Sequence, residues 1–316
     1  MPELLNPDLR ALLRTLVAGF APGLLPSAIP AQSPDVLCEY QVCCAGDVDG
    51  DGTSEFLIGR SGSPPVYRDP PALTRGGIFL CSFGKQNGVL ARAMSAHDND
   101  RFGGSLAVVE VGGKESEGSC LAGEPEFDGA RGRLLMLSSA KLELLRVIEG
   151  SKPGAGFGAK VLMPETVPGK TRLALVSSEL PASPGITIQR ASIALLSLDT
   201  WTLVAEQTFA LYEKLGRCGL AWIPDQDGDG GPDVAVGIVN ARNVAGAEVG
   251  RVEIRSGRTL AVLRTIDGSE PGGEFGASLA PIHSEAKSSR FDLLIGMPHQ
   301  AAREVQIDRR DTATRS

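Results

Sequence analysis

The chain is poor in aromatic residues, in histidine and in long apolar runs, and each shortage excludes some classes of structure or function. Aromatic residues make up 5% of the 316 residues, so Val, Leu, Ile and Ala must fill any core. No run of about 18 apolar residues occurs, so the sequence predicts no membrane span. Only 3 His and 3 Tyr are present, which leaves little material for an acid–base active site.

Basic residues are scattered along the chain. The formal net charge is −7, and no segment interleaves Lys or Arg with aromatic residues. Nucleic-acid binding requires clustered cations that displace counterions from the phosphates. The sequence therefore predicts no nucleic-acid partner, and its acidic balance fits cation binding.

The 6 cysteines leave the redox compartment open. None forms a C-x-x-C pair, so disulfides in an oxidising compartment are permitted without being required. We expect an extracellular or cell-envelope protein, with a cytoplasmic one as the alternative. Residues 1–36 are moderately apolar and interrupted by prolines, and they fit a signal segment, a helix or a strand that closes the fold.

Glycine and proline, by contrast, are abundant, with 39 Gly and 21 Pro and no collagen period. This composition favours many short strands joined by many turns. Five units share one pattern, in which a short apolar strand is followed by a polar loop and then by two or three further strands. The units open at Tyr40, Phe102, Phe157, Cys218 and Phe275, which lie 55 to 62 residues apart.

Four short strands per unit are typical of a propeller blade, and blades are stable only when they stack on neighbours. The sequence therefore predicts an all-β fold, a β-propeller of four-stranded antiparallel blades. We expect about five blades over residues 37–308, followed by a polar tail at 309–316.

The motifs at the unit boundaries indicate a family. Phe-Gly pairs occur at 102–103, 157–158 and 275–276, and Gly-Glu-Pro at 123–125 and Gly-Met-Pro at 296–298 stand where that family has Gly-Ala-Pro. At this spacing the units resemble the FG-GAP repeats of integrin α-chain propellers and of many bacterial surface proteins. The resemblance covers residues 37–308 and implies a propeller fold. Integrin propellers have seven blades, whereas this chain supplies five units.

Two loops place carboxylates at positions 1, 3, 5 and 9, with glycines between them. Ca²⁺ takes about six to eight oxygen ligands, and alternating Asp and Gly lets a tight loop turn several carboxylates inward. Thr53 and Gly231, at position 7, are expected to add backbone carbonyls. The sequence predicts one Ca²⁺ per loop, with the candidate ligands Asp47, Asp49, Asp51, Thr53 and Glu55 in the first loop and Asp225, Asp227, Asp229, Gly231 and Asp233 in the second.

Two other interpretations of these loops are weaker. An EF-hand needs Glu at position 12, where Ile58 and Val236 stand. The stretch from Asp49 to Thr53 also matches the D-x-D-G-T motif of haloacid-dehalogenase-like phosphatases, in which Asp49 would attack phosphorus and Asp51 would act as the acid. That chemistry needs a parallel α/β core, for which the repeats supply no helices.

Two functions remain open. The first is a non-catalytic propeller that binds a protein or glycan, and the second is a propeller enzyme, such as a hydrolase or lyase, with a site in the central channel. The apolar first strands of the units favour the first, so we expect no enzyme. In such blades the loops between strands 2 and 3 lie opposite the Asp loops, and the longest of them, at 61–75, 181–189 and 238–249, are predicted to bind the partner.

The last unit lacks a fourth strand in the sequence pattern. Residues 9–17 are predicted to supply this strand.

Overall fold

The computed structural model describes residues 40–62, 75–84, 88–98, 100–110, 118–164, 172–178, 191–209, 219–283, 291–298 and 307–308. All of them belong to one compact unit, Gln32–Ser316. The N-terminal segment 1–36, with the predicted closing strand at 9–17, and the tail 309–316 lie outside the described residues, as do the loop at 181–189 and most of that at 61–75.

The described chain forms strands that follow one another in five groups. The first three groups are β1 (Tyr40–Gly46), β2 (Glu55–Arg60), β3 (Gly77–Ser82) and β4 (Gly88–Met94); β5 (Ser105–Glu110), β6 (Ser119–Glu124), β7 (Arg133–Ser138) and β8 (Leu144–Glu149); and β9 (Phe157–Leu162), β10 (Leu173–Ser178), β11 (Ser192–Ser197) and β12 (Thr202–Thr208). The last two are β13 (Leu220–Ile223), β14 (Asp233–Ile238), β15 (Arg251–Arg255) and β16 (Val262–Asp267); and β17 (Ser278–His283), β18 (Phe291–Gly296) and β19 (Ile307–Asp308). A short turn, α1 (Phe127–Ala130), with left-handed backbone angles at Asp128 and Gly129, joins β6 to β7.

Each group is one antiparallel sheet whose strand order is the chain order. Four sheets have four strands and the last has three among the described residues. The first strands of consecutive sheets are neighbours, β1 with β5, β5 with β9, β9 with β13 and β13 with β17. The fold is therefore an all-β propeller of about five blades, which confirms the predicted class. Within the described ranges, no helix is long and apolar enough to cross a membrane.

The hydrophobic core lies between the blades. Each cluster of buried side chains draws on two successive blades, so that Leu57 and Ile78 of blade 1 pack with Cys120 and Leu137 of blade 2. The other clusters join blades 2 and 3, 3 and 4, and 4 and 5 in the same manner. Each blade is thus buried by its neighbours, as the repeat pattern predicted.

The Phe-Gly pairs form these interfaces. The rings of Phe102, Phe157 and Phe275 are all buried in the cluster between their own blade and the preceding one. The following glycine has a positive φ, 88° at Gly158, and its carbonyl oxygen lies so close to Gly123 of the preceding blade that a Cβ there would overlap it. The motif is therefore a backbone-to-backbone contact between blades.

Blade 3 is held differently. Its second strand, β10, has Ser177, paired with Lys160, at the place where β6 has Gly123, paired with Ser105, and tryptophan side chains cross its two interfaces. Trp201 Nε1 donates to the Val147 carbonyl of blade 2 at 2.8 Å. Trp222 Nε1 of blade 4 donates to the Leu162 carbonyl of blade 3 at 3.2 Å. Both tryptophan side chains therefore bind across an interface between two blades.

Candidate metal sites in two aspartate loops

The two Asp loops occupy equivalent places in their blades. One joins β1 to β2 and the other joins β13 to β14, so each links the first and second strands of a blade. Glycines with positive φ make the turns possible, among them Gly52 at 91° and Gly230 at 80°. Because all strands are antiparallel and in chain order, both loops lie on the same face of the propeller.

In the first loop the structure brings together Asp47, Asp49 and Glu55, each of which offers a carboxylate oxygen within 4.8 Å of the other two. Glu55 is fully buried, and its Oε2 accepts a hydrogen bond of 2.7 Å from the Val48 amide. Three buried oxygens, Asp47 Oδ1, Asp49 Oδ2 and Glu55 Oε1, accept no hydrogen bond from any residue that the structure describes. Leaving such atoms without a partner is costly, so this loop fits a bound cation.

In the second loop Asp225, Asp227 and Asp229 form a similar group within 4.8 Å. Here the carboxylates are bound from within the protein. Both oxygens of Asp225 accept amide hydrogen bonds, from Gly228 at 2.7 Å and Gly230 at 2.6 Å. Asp229 Oδ2 lies 3.1 Å from Nε of Arg258.

Asp233, the fourth acid predicted for the second loop, lies outside this group. It is fully buried, and its oxygens accept hydrogen bonds from the amides of Gln226 at 2.6 Å and Gly257 at 2.9 Å. Burial raises the pKa of Asp233 above its usual range, while these two hydrogen bonds lower it and the charges of Asp227 and Asp225 raise it. Its backbone bonds fix the loop to the turn between β15 and β16.

The remaining predicted ligands stay predictions. Asp51 lies outside the first group of three, and its Oδ1 accepts a hydrogen bond of 2.8 Å from the Thr53 amide. The Gly231 amide donates to Asp229 Oδ1 at 2.7 Å. Among the described residues, only these two loops gather acidic groups of this kind, and most of the corresponding loops of blades 2, 3 and 5 lie outside the described ranges.

A second acidic cluster, which the sequence motifs did not indicate, lies at the junction of blades 1 and 2. Asp100 and Glu124 are 3% and 1% exposed, and Ser95 Oγ donates to either carboxylate, at 3.0 Å to Glu124 Oε1. Arg133, opposite Glu124 on β7, pairs with Glu124 Oε2. The residue that could have indicated this cluster from the sequence is Glu124. It stands at the position where the Gly-Ala-Pro pattern has alanine.

One arginine thus faces two buried carboxyl groups. Burial, hydrogen bonding to Glu124 and its charge raise the pKa of Asp100 to about 7, against the lowering effects of the Phe102 amide and Arg133. The folded protein therefore keeps a proton that the unfolded chain has already released. The stability that this proton provides is complete below the unfolded pKa and is lost as the pH rises through about 7.

We expect the free energy of unfolding to fall by about 2 kcal/mol between about pH 5.5 and 8 because of this pair. Asp100→Asn, which imitates the protonated acid, should flatten the profile, as measured by urea unfolding at a series of pH values. His97→Gln is the control, because the His97 amide donates to Ser95 Oγ and this substitution leaves both buried carboxyl groups in place. An unchanged slope in Asp100→Asn would contradict the assignment.

The buried thiols are poor nucleophiles. Burial raises the pKa of Cys43 and Cys81 to about 11 and that of Cys120 to about 12. The four described cysteines, these three and Cys44, are free.

No protein-family model matches the chain, and no curated protein matches it. Solved structures do match, among them one titled "Structure of Dos1 propeller", with a TM-score of 0.46 and 11% sequence identity. That match covers 83% of this chain and 56% of the other, so this chain spans little more than half the length of that neighbour.

Proposed function

We propose that this chain is a calcium-binding propeller of the FG-GAP type that serves as a non-catalytic binding or scaffold module. The observation that carries the proposal is the set of three buried, unpartnered carboxylate oxygens of Asp47, Asp49 and Glu55. A hard cation with oxygen ligands at about 2.3–2.6 Å would satisfy all three at once. Mg²⁺ would substitute poorly, because it prefers a smaller octahedral shell and gives up its water reluctantly.

The FG-GAP assignment is supported by what the motif residues do. Phe157 and Gly158 contact the glycines of the preceding blade, and Phe275 and Gly276 do the same two interfaces further on, between blades 4 and 5. Parallel bridges between Gly132 and Phe157 and between Gly250 and Phe275 repeat the arrangement. The motif therefore has one structural role at each interface where it occurs intact.

A non-catalytic role is favoured by the residue types on the first strands. β5 and β13 carry mainly Leu, Ala, Val and Ile, which offer no general acid or base. The buried Asp100–Glu124 pair is enclosed between blades 1 and 2. The phosphatase interpretation of Asp49 and Asp51 fails on the fold, because every described sheet is antiparallel and lacks the parallel α/β core.

The proposed partner is a protein or a glycan on the face opposite the Asp loops. The loop between β14 and β15 is the described member of the predicted binding set. It is shaped by an ion pair of 2.7 Å between Arg242 and Glu248, and by Asn243 Oδ1, which accepts hydrogen bonds from the amides of Ala245 and Ala247. Val244 at its tip is fully exposed. A rigid tip with an exposed apolar residue suits recognition.

We expect Val244→Glu to reduce binding to a glycan array, or capture of partners in affinity purification, at least about tenfold, since one buried apolar contact plus an unpaired charge is worth ~1.4 kcal/mol or more. Asp199→Asn, an exposed substitution in the turn between β11 and β12, is the control. Equal binding by both variants would rule out this loop as the contact.

An extracellular or cell-envelope location goes with the calcium proposal, because millimolar calcium sites belong to extracellular modules.

The calcium proposal is tested by calorimetric titration and melting curves. We expect calcium at about a hundredfold excess over its Kd to stabilise the wild type by about 2.7 kcal/mol per site. Asp49→Asn should abolish the heat of the first site and the matching rise in Tm, because it removes a ligand and a charge. Asp199→Asn again serves as the control. A wild type without calcium-dependent heat or a change in Tm would end the proposal.

A further inference from the structure

The two Asp loops differ in how their carboxylates are satisfied. In the first loop, a fully buried Glu55 and two aspartates each leave one oxygen without a hydrogen bond among the described residues. In the second loop no buried carboxylate oxygen is left in that condition. Asp225 is held by two amides, and Asp233 by two more. The loops match in sequence but not in their need for a ligand.

The difference comes from the turn between the third and fourth strands of each blade. In blade 4 this turn contains Gly257 and Arg258, and it gives the Asp loop both an amide, to Asp233, and a cation, to Asp229. The positive charge of Arg258 therefore sits beside the three gathered carboxylates. The turn and the loop are therefore joined at two points, by one backbone hydrogen bond and by one ion pair.

Blade 1 has glycine at the corresponding place. Ser82 ends β3 as Ser256 follows β15, and two residues later Gly84 stands where blade 4 has Arg258. The carboxylate of Asp51 lies directly against Gly84, where a Cβ would overlap it. A side chain at the Gly84 position would therefore have to displace the Asp51 carboxylate.

We propose that Arg258 is a built-in counter-cation for the second loop, so that blade 4 keeps its structure without calcium while the first loop depends on the ion. This inference rests on the proposed calcium binding and ranks the two sites by their affinity for calcium. The Asp47 loop is the tight site, and the Asp225 loop is the weak one because an incoming ion must compete with Arg258 for Asp229. Calcium therefore controls the order of blade 1 and leaves that of blade 4 nearly unchanged.

Hydrogen exchange of the full-length protein, read by mass spectrometry with excess calcium or with EDTA, tests this ranking. EDTA should speed exchange at the amides of Val48 and Gly52, which bond to loop carboxylates, and leave those of Gly228 and Gly230 unchanged. In Arg258→Gln the second loop should also become sensitive to EDTA. Titration calorimetry should show its calcium affinity rise about two- to fivefold, the range expected for loss of a competing exposed ion pair.

Two controls separate charge from structure. Arg146→Gln removes an equal charge from β8 and should behave as the wild type, and Arg258→Lys keeps the cation and should restore most of the wild-type behaviour. Equal sensitivity of both wild-type loops to EDTA, or an Arg258→Gln variant identical to the wild type, would overturn the inference while leaving calcium binding intact. Absence of any calcium effect on the first loop would instead overturn the proposed function.

Discussion

Gly123→Ala is expected to destabilise the propeller by about 3 kcal/mol or more, or to prevent folding. The added Cβ would overlap the carbonyl oxygen of Gly158 in the next blade, and a backbone atom cannot move aside as a flexible side chain can. The two blades would have to separate at the point where their buried cluster begins. Urea unfolding followed by circular dichroism measures the loss.

Gly246→Ala is the matched control. Gly246 has a φ of 81° and nothing within 4 Å of an added Cβ, so the substitution carries only the cost of a left-handed backbone, about 1–2 kcal/mol. If both variants lose the same stability, the Phe-Gly contact is not what holds the blades together.

Glu253→Ala is expected to cost about 3–5 kcal/mol, because it leaves a buried guanidinium without its counter-charge. Arg255 is 5% exposed, and its Nε lies 2.9 Å from Glu253 Oε2. Its Nη1 also donates to the Leu260 carbonyl at 2.6 Å, and the guanidinium sits 5.2 Å from the ring centroid of Phe209 in blade 3. The pair therefore ties blade 4 to blade 3, where no Phe-Gly contact is available.

The double variant Glu253→Leu/Arg255→Met separates charge from packing. Replacing both members by apolar side chains of similar size should restore most of the lost stability, since a buried pair and an apolar pair are often nearly equivalent. Thermal or urea unfolding of the wild type, the Glu253→Ala variant and the double variant measures this difference in stability. A double variant less stable than the single one would mean that the ion pair itself stabilises the interface.

The sequence was enough to predict the blades, because strand and turn patterns are local. The five units that open at Tyr40, Phe102, Phe157, Cys218 and Phe275 correspond to the five sheets. The Phe-Gly pairs could be located from their spacing, but their contact with the glycines of the preceding blade depends on how two backbones meet. That geometry is set by the stacking of whole sheets.

For the two Asp loops, the sequence predicted which acidic residues are present better than it predicted how each carboxylate is bound. Asp233 was predicted as a ligand, and its two oxygens accept hydrogen bonds from the amides of Gln226 and Gly257, the second of which is distant in sequence. Arg258 lies in the same turn as Gly257 and pairs with Asp229, so its contact with the loop also depends on where that turn lies. Asp100 and Glu124 resemble ordinary turn and strand-end residues in the sequence, and only the junction of blades 1 and 2 brings them together.

Because the buried clusters each span two blades, the repeat along the chain is not the unit of stability. A fragment cut at the sequence boundary between blades 2 and 3 would leave Ala174 and Val176 without the Leu121 and Leu134 that cover them. Shortened versions of the protein will therefore need a replacement surface on the cut side, such as a polar terminal blade. The same property makes the number of blades adjustable, since an added repeat brings one new interface that matches those already present.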